Sequence, residues 1–544
     1  MAYVRAKTLA PAHRASRFRH PWRHPSAAAA ALWALFLAAS ALGFAACGDM
    51  EGMFAADPGM DNEGRAPWDA SDASAGADAD RGAGEPPPEE ADQDEAQRRV
   101  ASIAAAQRYV YVPNEEAGVV ARIDSETLAV LPILTPIRPA RLRVAPGAAF
   151  ALVLGRGEGR IILLKPTPEG ADLTEVEVVR GANDALLTPD GRWALVYYNA
   201  GIAEVQDPVG SFQEVSLVET ATGRSVLLST GFGLRQAGLA SDGRVMWLLT
   251  DDGLHVFRPQ EQSADGVLPL VPFAGVSAER VPQVALTRDA SAALLRFPDA
   301  TVLRRMDVES ATVEEIDLGE RLPPMLALGG ADEVVIPLPG QQALAFVSFR
   351  RRLAVDLRTL GVPVDRVAED RSRSLLLAWQ GSGEVRQWVS IDREADLAMQ
   401  TYRSRFAVRE LRSLGPLAPW LVQHGPQSNM AWTFSLADPD TAYTKLIDAG
   451  ARPVQIEADA EGEWAFLRLE QTSAASQRLI RVHLHTMAQE TLRFPATVEV
   501  IGWMPGGERL YASIADPLGR LVFVDPATGS TQTVSGYLLN AFVE

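Results

Sequence analysis

From Tyr109 to the C-terminus, short apolar runs alternate with clusters of Gly, Pro, Asp and Asn. RYVYVPN, AFALVLG, RWALVYYN, RVMWLLTD, RSLLLAWQ and EWAFLRLE all have strand length and are bounded by turn residues. The stretch RYVYVPNEEAGVVARIDSETLAVLPI shows the full pattern. An alternating strand is followed by a turn, a second strand, an acidic turn and a third strand.

Two turn signatures recur. The first precedes an apolar strand: Pro146-Gly147, Pro189-Asp190-Gly191, Asp242-Gly243, Arg288-Asp289, Glu461-Gly462 and Pro505-Gly506-Gly507. Proline pre-sets the first turn angle and glycine accepts a positive φ. The second follows the next strand, as IDSET (123–127), VETATG (218–223), VDLRT (355–359) and VDPATG (524–529). There an aspartate can accept backbone N–H groups across the turn.

The strands after the first signature start near residues 108, 149, 193, 244, 292, 333, 373, 430, 464 and 509. The spacing is 40–51 residues, with one interval of 57 and one of 34. A period of this size with about four strands per unit predicts an all-β fold, a single large β-propeller over 105–544. Ten units can be counted. The usual range of blades favours seven or eight, with some runs in 380–430 as hairpins inserted in a blade. The first unit lacks an obvious first strand, so the C-terminal YLLNAFV (Tyr537 to Val543) is expected to supply it and clasp the ring.

This combination of Pro/Gly turn, apolar strand and IDxxT or VDxxTG resembles the YVTN-type and quinoprotein-like propeller repeats. Those families include surface proteins, lactonases and dehydrogenases, so the resemblance implies a fold and no particular chemistry.

The N-terminal hundred residues differ in kind. Six basic residues and no acidic one occur in 1–46, followed by the apolar run ALWALFLAASALGFAA at 31–46. That run is short for a bilayer span and has the length of a secretory signal core. Gly43-Phe44-Ala45-Ala46-Cys47 resembles a bacterial lipoprotein signal. The resemblance implies cleavage before Cys47 and lipid on its sulfur, the chain's only cysteine. Gly48, not Asp, follows the cysteine, which in such families leans toward the outer membrane over the inner. Residues 48–100 hold 15 acidic and 4 basic side chains from Asp49 onward, among Pro, Gly, Ala and Ser. Such a segment cannot bury enough apolar surface to order itself, and reads as an acidic linker. The predicted organisation is therefore signal 1–46, lipidated Cys47 with a disordered linker to 104, and propeller 105–544.

The net charge of −18 becomes −24 once the six basic residues of 1–46 are removed. That surface repels phosphate backbones and argues against nucleic acid as a partner. No G-x-S-x-G, H-E-x-x-H, P-loop or dinucleotide fingerprint stands in a suitable context, and the sequence asks for no cofactor. His483 and His485 share a strand face, which is too little for a metal site. Trp193, Trp247, Trp379, Trp432 and Trp464 lie in apolar strands and read as core. Trp420 and Trp503, beside Pro419 and Pro505, are candidates for a binding face. So is the basic run Arg350, Arg351 and Arg352. No catalytic residues are assigned. The expected function is a lipid-anchored propeller that binds an envelope protein or glycan. The alternatives are a lactonase or quinoprotein-type enzyme and a structural part of a larger envelope complex.

Overall fold

In a computed structural model of the chain, each apolar run becomes the second strand of a four-stranded antiparallel sheet. The structure describes residues 103–538 apart from 146–148, 204–207, 330–331, 416–417, 425–432, 440, 442 and 471–475. The signal segment, Cys47 and the acidic linker up to residue 102 lie outside the described residues. All described residues fall in one compact unit.

Ten sheets follow one another along the chain, each with its strands in sequence order. They span 104–134, 139–177, 184–229, 236–272, 283–317, 326–359, 366–403, 408–448, 453–493 and 498–535, and are numbered here as blades 1 to 10. Second strands such as Ala151–Gly155, Trp193–Tyr197 and Leu510–Ile514 are buried at every position. Fourth strands such as Ala398–Arg403 and Ala488–Arg493 are almost wholly exposed. The first strands are half-buried, and consecutive ones lie side by side, as in blades 2 and 3 and in blades 9 and 10. First strands therefore ring the axis and fourth strands form the outer wall.

A blade with two apolar faces is buried only by its neighbours. Ten apolar cores join the blades pairwise in chain order, from blade 1 on 2 through blade 9 on 10. The tenth closes the circle. Val110, Val112, Ala121 and Ile123 of blade 1 pack on Tyr511, Leu521, Phe523 and Val534 of blade 10. The chain is thus a single ten-bladed propeller, and every counted unit is a blade. The preference for seven or eight blades is corrected: residues 366–403 and 408–448 are two full blades, not one with inserted hairpins.

The clasp is also corrected. The first strand of blade 1 is Ala104–Ala106, paired with Tyr109–Tyr111, so no place is left for a C-terminal strand. Tyr537 and Leu538 instead wedge against blade 1 from the side. The amide of Asn114 donates to the Leu538 carbonyl at 3.4 Å.

The two turn signatures sit on one rim of the ring. In a four-stranded meander, turns 1–2 and 3–4 lie at the same end. Backbone bonds tie them together: Ser125 N to Arg108 O, Thr220 N to Arg192 O, Val308 N to Ser291 O and Leu484 N to Glu463 O. We call this the turn rim. Asp190, Asp242 and Asp289 accept the N–H two residues on. Gly191 and Gly243 supply φ of 67° and 66° there, and Ala290 stands at 58° in the matching place. In the 3–4 turns, Asp124, Asp392 and Asp525 each accept two backbone N–H groups. VDLRT is an exception: it lies inside the outer strand Ala354–Thr359 and is no turn. The opposite end carries the 2–3 loops and the links to the next blade, joined by bonds such as Thr135 N to Gly118 O and Val178 N to Gly159 O. We call it the loop rim.

Arginines rivet neighbouring blades on the turn rim. Arg122, Arg305 and Arg481 each stand two residues before the end of a third strand and are buried. Arg122 donates to the Thr167 and Gly170 carbonyls of blade 2, and Arg305 to those of Phe349 and Arg350 in blade 6. Arg481 donates to the carbonyls of Pro526 and Ala527 in blade 10. Arg509 does the same for ring closure, reaching the Ser125 carbonyl of blade 1 at 2.5 Å.

One blade has a fifth strand. Gly266–Val267, in the long 3–4 connection of blade 4, pairs in parallel with the outer strand Arg224–Ser229 of blade 3. Asp265 accepts from Leu227 N at 2.8 Å and holds this brace in place.

Candidate functional site

The repeated turns of the turn rim follow from local geometry, so residues freed from that duty lie mostly on the loop rim. The longest described irregularity there is the 2–3 loop of blade 3, between Tyr197 and Glu214. It folds back over blade 2. Gly157, at φ 71°, leaves the space that Pro208 fills, and a Cβ there would meet Pro208 at 1.9 Å.

Beneath this loop lies a polar network between the first strands of blades 2 and 3. Arg143 donates Nε and Nη2 to Asp184 Oδ1 at 3.1 and 2.7 Å. Asn199 Nδ2 and the Tyr197 hydroxyl donate to Oδ2 at 3.0 and 3.3 Å. Burial pushes the Tyr197 phenol well above its ordinary pKa, and the Asp184 charge adds to this, so it remains a donor. Arg141 donates to the carbonyls of Asn183 and Ile202. With the Ala185 N–H at 2.8 Å, the Asp184 carboxylate has five donors, which makes the network a structural tie.

Above the network an aromatic ladder reaches solvent. Tyr198 meets Phe212 edge-on at 5.5 Å, and Phe212 meets Phe232 at 5.9 Å. Gly233 N donates to the Phe212 carbonyl, which fixes the two loops to each other. Val209 is 72% exposed, Phe212 38% and Phe232 51%. Across the same rim, Arg296 of blade 5 donates to the Leu322 carbonyl, and Arg321 pairs with Asp299. Arg366, exposed at the start of the first strand of blade 7, makes no hydrogen bond or ion pair among the described residues.

The sequence candidates do not converge. Trp420 is corrected outright: it is fully buried as the first residue of the second strand of blade 8. Its Nε1 donates to Asp370 Oδ2 at 2.8 Å, across the interface with blade 7. Pro419 ends the turn that delivers it there and does not expose it. Trp503 is half-buried at the end of the first strand of blade 10, edge-on to Phe466 of blade 9 at 5.7 Å. Trp193, Trp247 and Trp379 are core, Trp464 is half-buried, and Trp432 lies outside the described residues.

Arg350, Arg351 and Arg352 form the 3–4 turn of blade 6, on the turn rim. Arg350 is anchored: Nη2 lies 3.2 Å from Asp289 and Nε 3.3 Å from Asp332. Hydrogen bonds from Ser291 first, and from Arg350, hold the Asp289 carboxyl well below the usual carboxylate range. Arg351 and Arg352 are exposed.

His483 occupies the place that Asp124 and Asp392 hold in other blades, and its Nδ1 accepts from Thr486 N at 3.2 Å. Its role is a turn. Two histidines invisible to pattern reading are buried instead. His255 accepts from Gly231 N at Nε2, 2.9 Å, and its Nδ1 donates to the Pro269 carbonyl at 2.9 Å. His424 contacts Ser435 Oγ at 2.7 Å. Burial lowers the pKa of both. Among the described residues no three His, Cys, Asp or Glu side chains gather as a metal site.

No protein-family profile matches the chain, and no curated protein matches it in sequence. Among solved structures the chain is similar to dihydro-heme d1 dehydrogenase NirN in complex with DHE. The two are 12% identical over 74% of this chain and 76% of that one, with a TM-score of 0.39. It is also similar to a eukaryotic initiation factor, 11% identical over 79% and 96% of the two chains, TM-score 0.44. For hydrazine synthase of Kuenenia stuttgartiensis the values are 11%, 80%, 96% and 0.30. At these values nothing of their chemistry passes to this chain, and the ten-bladed ring rests on its own strand pairing.

Proposed function

We propose that the chain is an exported lipoprotein, anchored through Cys47, whose propeller is a non-catalytic binding or scaffold module at the cell envelope. The lipoprotein-like segment before Cys47 supports the placement, with the outer membrane favoured by Gly48. The geometry of the Arg350–Arg352 turn carries the binding role. Arg305 grips its backbone from blade 5, and Asp289 and Asp332 anchor Arg350. What remains is a rigid turn presenting Arg351 and Arg352 to solvent on a rim otherwise rich in turn aspartates. Two adjacent guanidiniums on a fixed backbone can each pair a carboxylate through a planar fork, which suits an acidic segment of an envelope protein or a carboxylate-bearing glycan.

The test is cross-linking in the native cell, followed by extraction from membranes. A stoichiometric partner is expected, and Arg351→Glu with Arg352→Glu should reduce its recovery at least tenfold while thermal unfolding stays unchanged. Equal recovery with the double variant would remove this turn from the interface. Absence of any partner would remove the scaffold reading.

A further inference from the structure

The first strand of blade 1 fixes how the ring hangs on its leader. Ala104–Ala106 runs toward the turn at Gln107-Arg108, which belongs to the turn rim. Ile103 therefore lies at the loop rim, and residues 48–102 join the ring there. As the linker proposed above, a chain of that length would span about 40 Å. A lipid on Cys47 would thus draw the loop rim toward the bilayer without the leader passing round the ring.

The loop rim carries the exposed Val209, together with Phe212 and Phe232, which a ring contact and a backbone bond hold to each other. Apolar side chains such as these insert at the boundary between headgroups and acyl chains. The same rim shows the exposed Arg366, suited to an anionic headgroup, among the carboxylates of Asp252, Asp299 and Glu384. On the turn rim the carboxylates of Asp124, Asp242, Asp307, Asp392 and Asp525 are committed to backbone N–H groups of its turns.

We infer that the loop rim is the face laid against the lipid surface, with Phe212 and Phe232 at headgroup depth and the turn rim directed away. This inference rests on the lipid-anchored reading.

The full chain, purified from its own membranes, would be reconstituted into vesicles of phosphatidylethanolamine and phosphatidylglycerol at 3:1. Amide hydrogen exchange is then compared between vesicles and detergent, and the mass of the Cys47 peptide is measured in the same sample. Exchange in 208–213 and 230–235 should slow at least tenfold on vesicles, with 189–192 and 241–244 unchanged. Phe212→Ser with Phe232→Ser, both at exposed sites, should abolish the slowing while lipid on Cys47 keeps the protein bound. Protection of the turn rim, or of neither rim, in lipidated protein overturns the inference and spares the anchor. If Cys47 carries no lipid, the anchor reading fails by itself. The inference then survives only if the same vesicles, added to the soluble chain, protect 208–213 and 230–235. Protection seen in native membranes but not on pure lipid assigns the patch to a protein and overturns the lipid surface.

Discussion

Asp370 shows what single side chains do in this ring. It is fully buried, and it accepts from Ser372 Oγ, Arg373 Nη1 and Trp420 Nε1 at 2.7, 3.1 and 2.8 Å. Removing the carboxylate strands a buried guanidinium and an indole N–H. Asp370→Ala should therefore destabilise by about 3–5 kcal/mol, read from denaturant midpoints. Arg305→Met should cost about 2–3 kcal/mol, because two carbonyls of blade 6 lose a charged donor. Arg351→Met, one residue from a gripped carbonyl but in solvent, should change stability by less than about 0.5 kcal/mol. The buried histidines set a pH dependence. Both are neutral in folded and unfolded chain above pH 6.5. Below it the unfolded chain gains protons first, because burial lowers the folded values. Stability should fall as pH drops from 6.5, until it passes the lowered folded values. His255→Gln should flatten the slope of unfolding free energy against pH, and a slope equal to that of the wild type would remove His255 as its source.

At the scale of elements, most second strands were legible. Starts expected at 108, 193, 292, 333 and 464 fall within one residue of Tyr109, Trp193, Ala292, Glu333 and Trp464. Blade 8 was not. Its second strand begins at Trp420, while the expected start at 430 belongs to the approach to its third strand, Thr433–Ala437. The turn before Trp420, LGPLAP, lacks the Asp or paired glycines that mark other blades. With Trp420 restored, the starts at Leu375, Trp420 and Trp464 lie 45 and 44 residues apart, and the irregular intervals vanish. The first strand of blade 1 was missed for another reason. Three alanines carry no strand preference and no alternation, and only the neighbouring strand makes them one. Trp420 and Trp503 misled because proximity to proline signals a turn but not which way the next side chain faces. The rivets were unreadable because Arg-x-Asp and Arg-x-His gain meaning only when a blade some 45 residues away offers its carbonyls. Tyr537, the last well-packed aromatic among the described residues, seals blade 10 on blade 1. Tyr537→Ala should destabilise by about 3 kcal/mol. Calorimetry should show the loss as a lower Tm for the whole ring, not as a separate early transition.

The whole molecule is a closed circuit of ten cores, so each blade is stabilised on two sides and none is terminal. Deleting 498–544 would open two cores at once, those with blades 9 and 1. The expected product is an aggregating chain, not a nine-bladed ring, and a monomeric, cooperatively melting product in size-exclusion and calorimetric runs would contradict this.

Such a wheel has one hazard that its core does not address: the outermost strand of each blade leaves a row of unpaired amides and carbonyls facing outward. Charged or proline-bearing sequences such as VEEID, AQETLR and VLPIL discourage another chain from adding to that row. RSVLLS of blade 3 has no charge beyond its first residue, and its Leu227 is 39% exposed. It is also the strand that Gly266–Val267 covers. The brace is therefore a guard against self-association. A chain lacking it should keep its ring yet gather into edge-to-edge oligomers as its concentration rises.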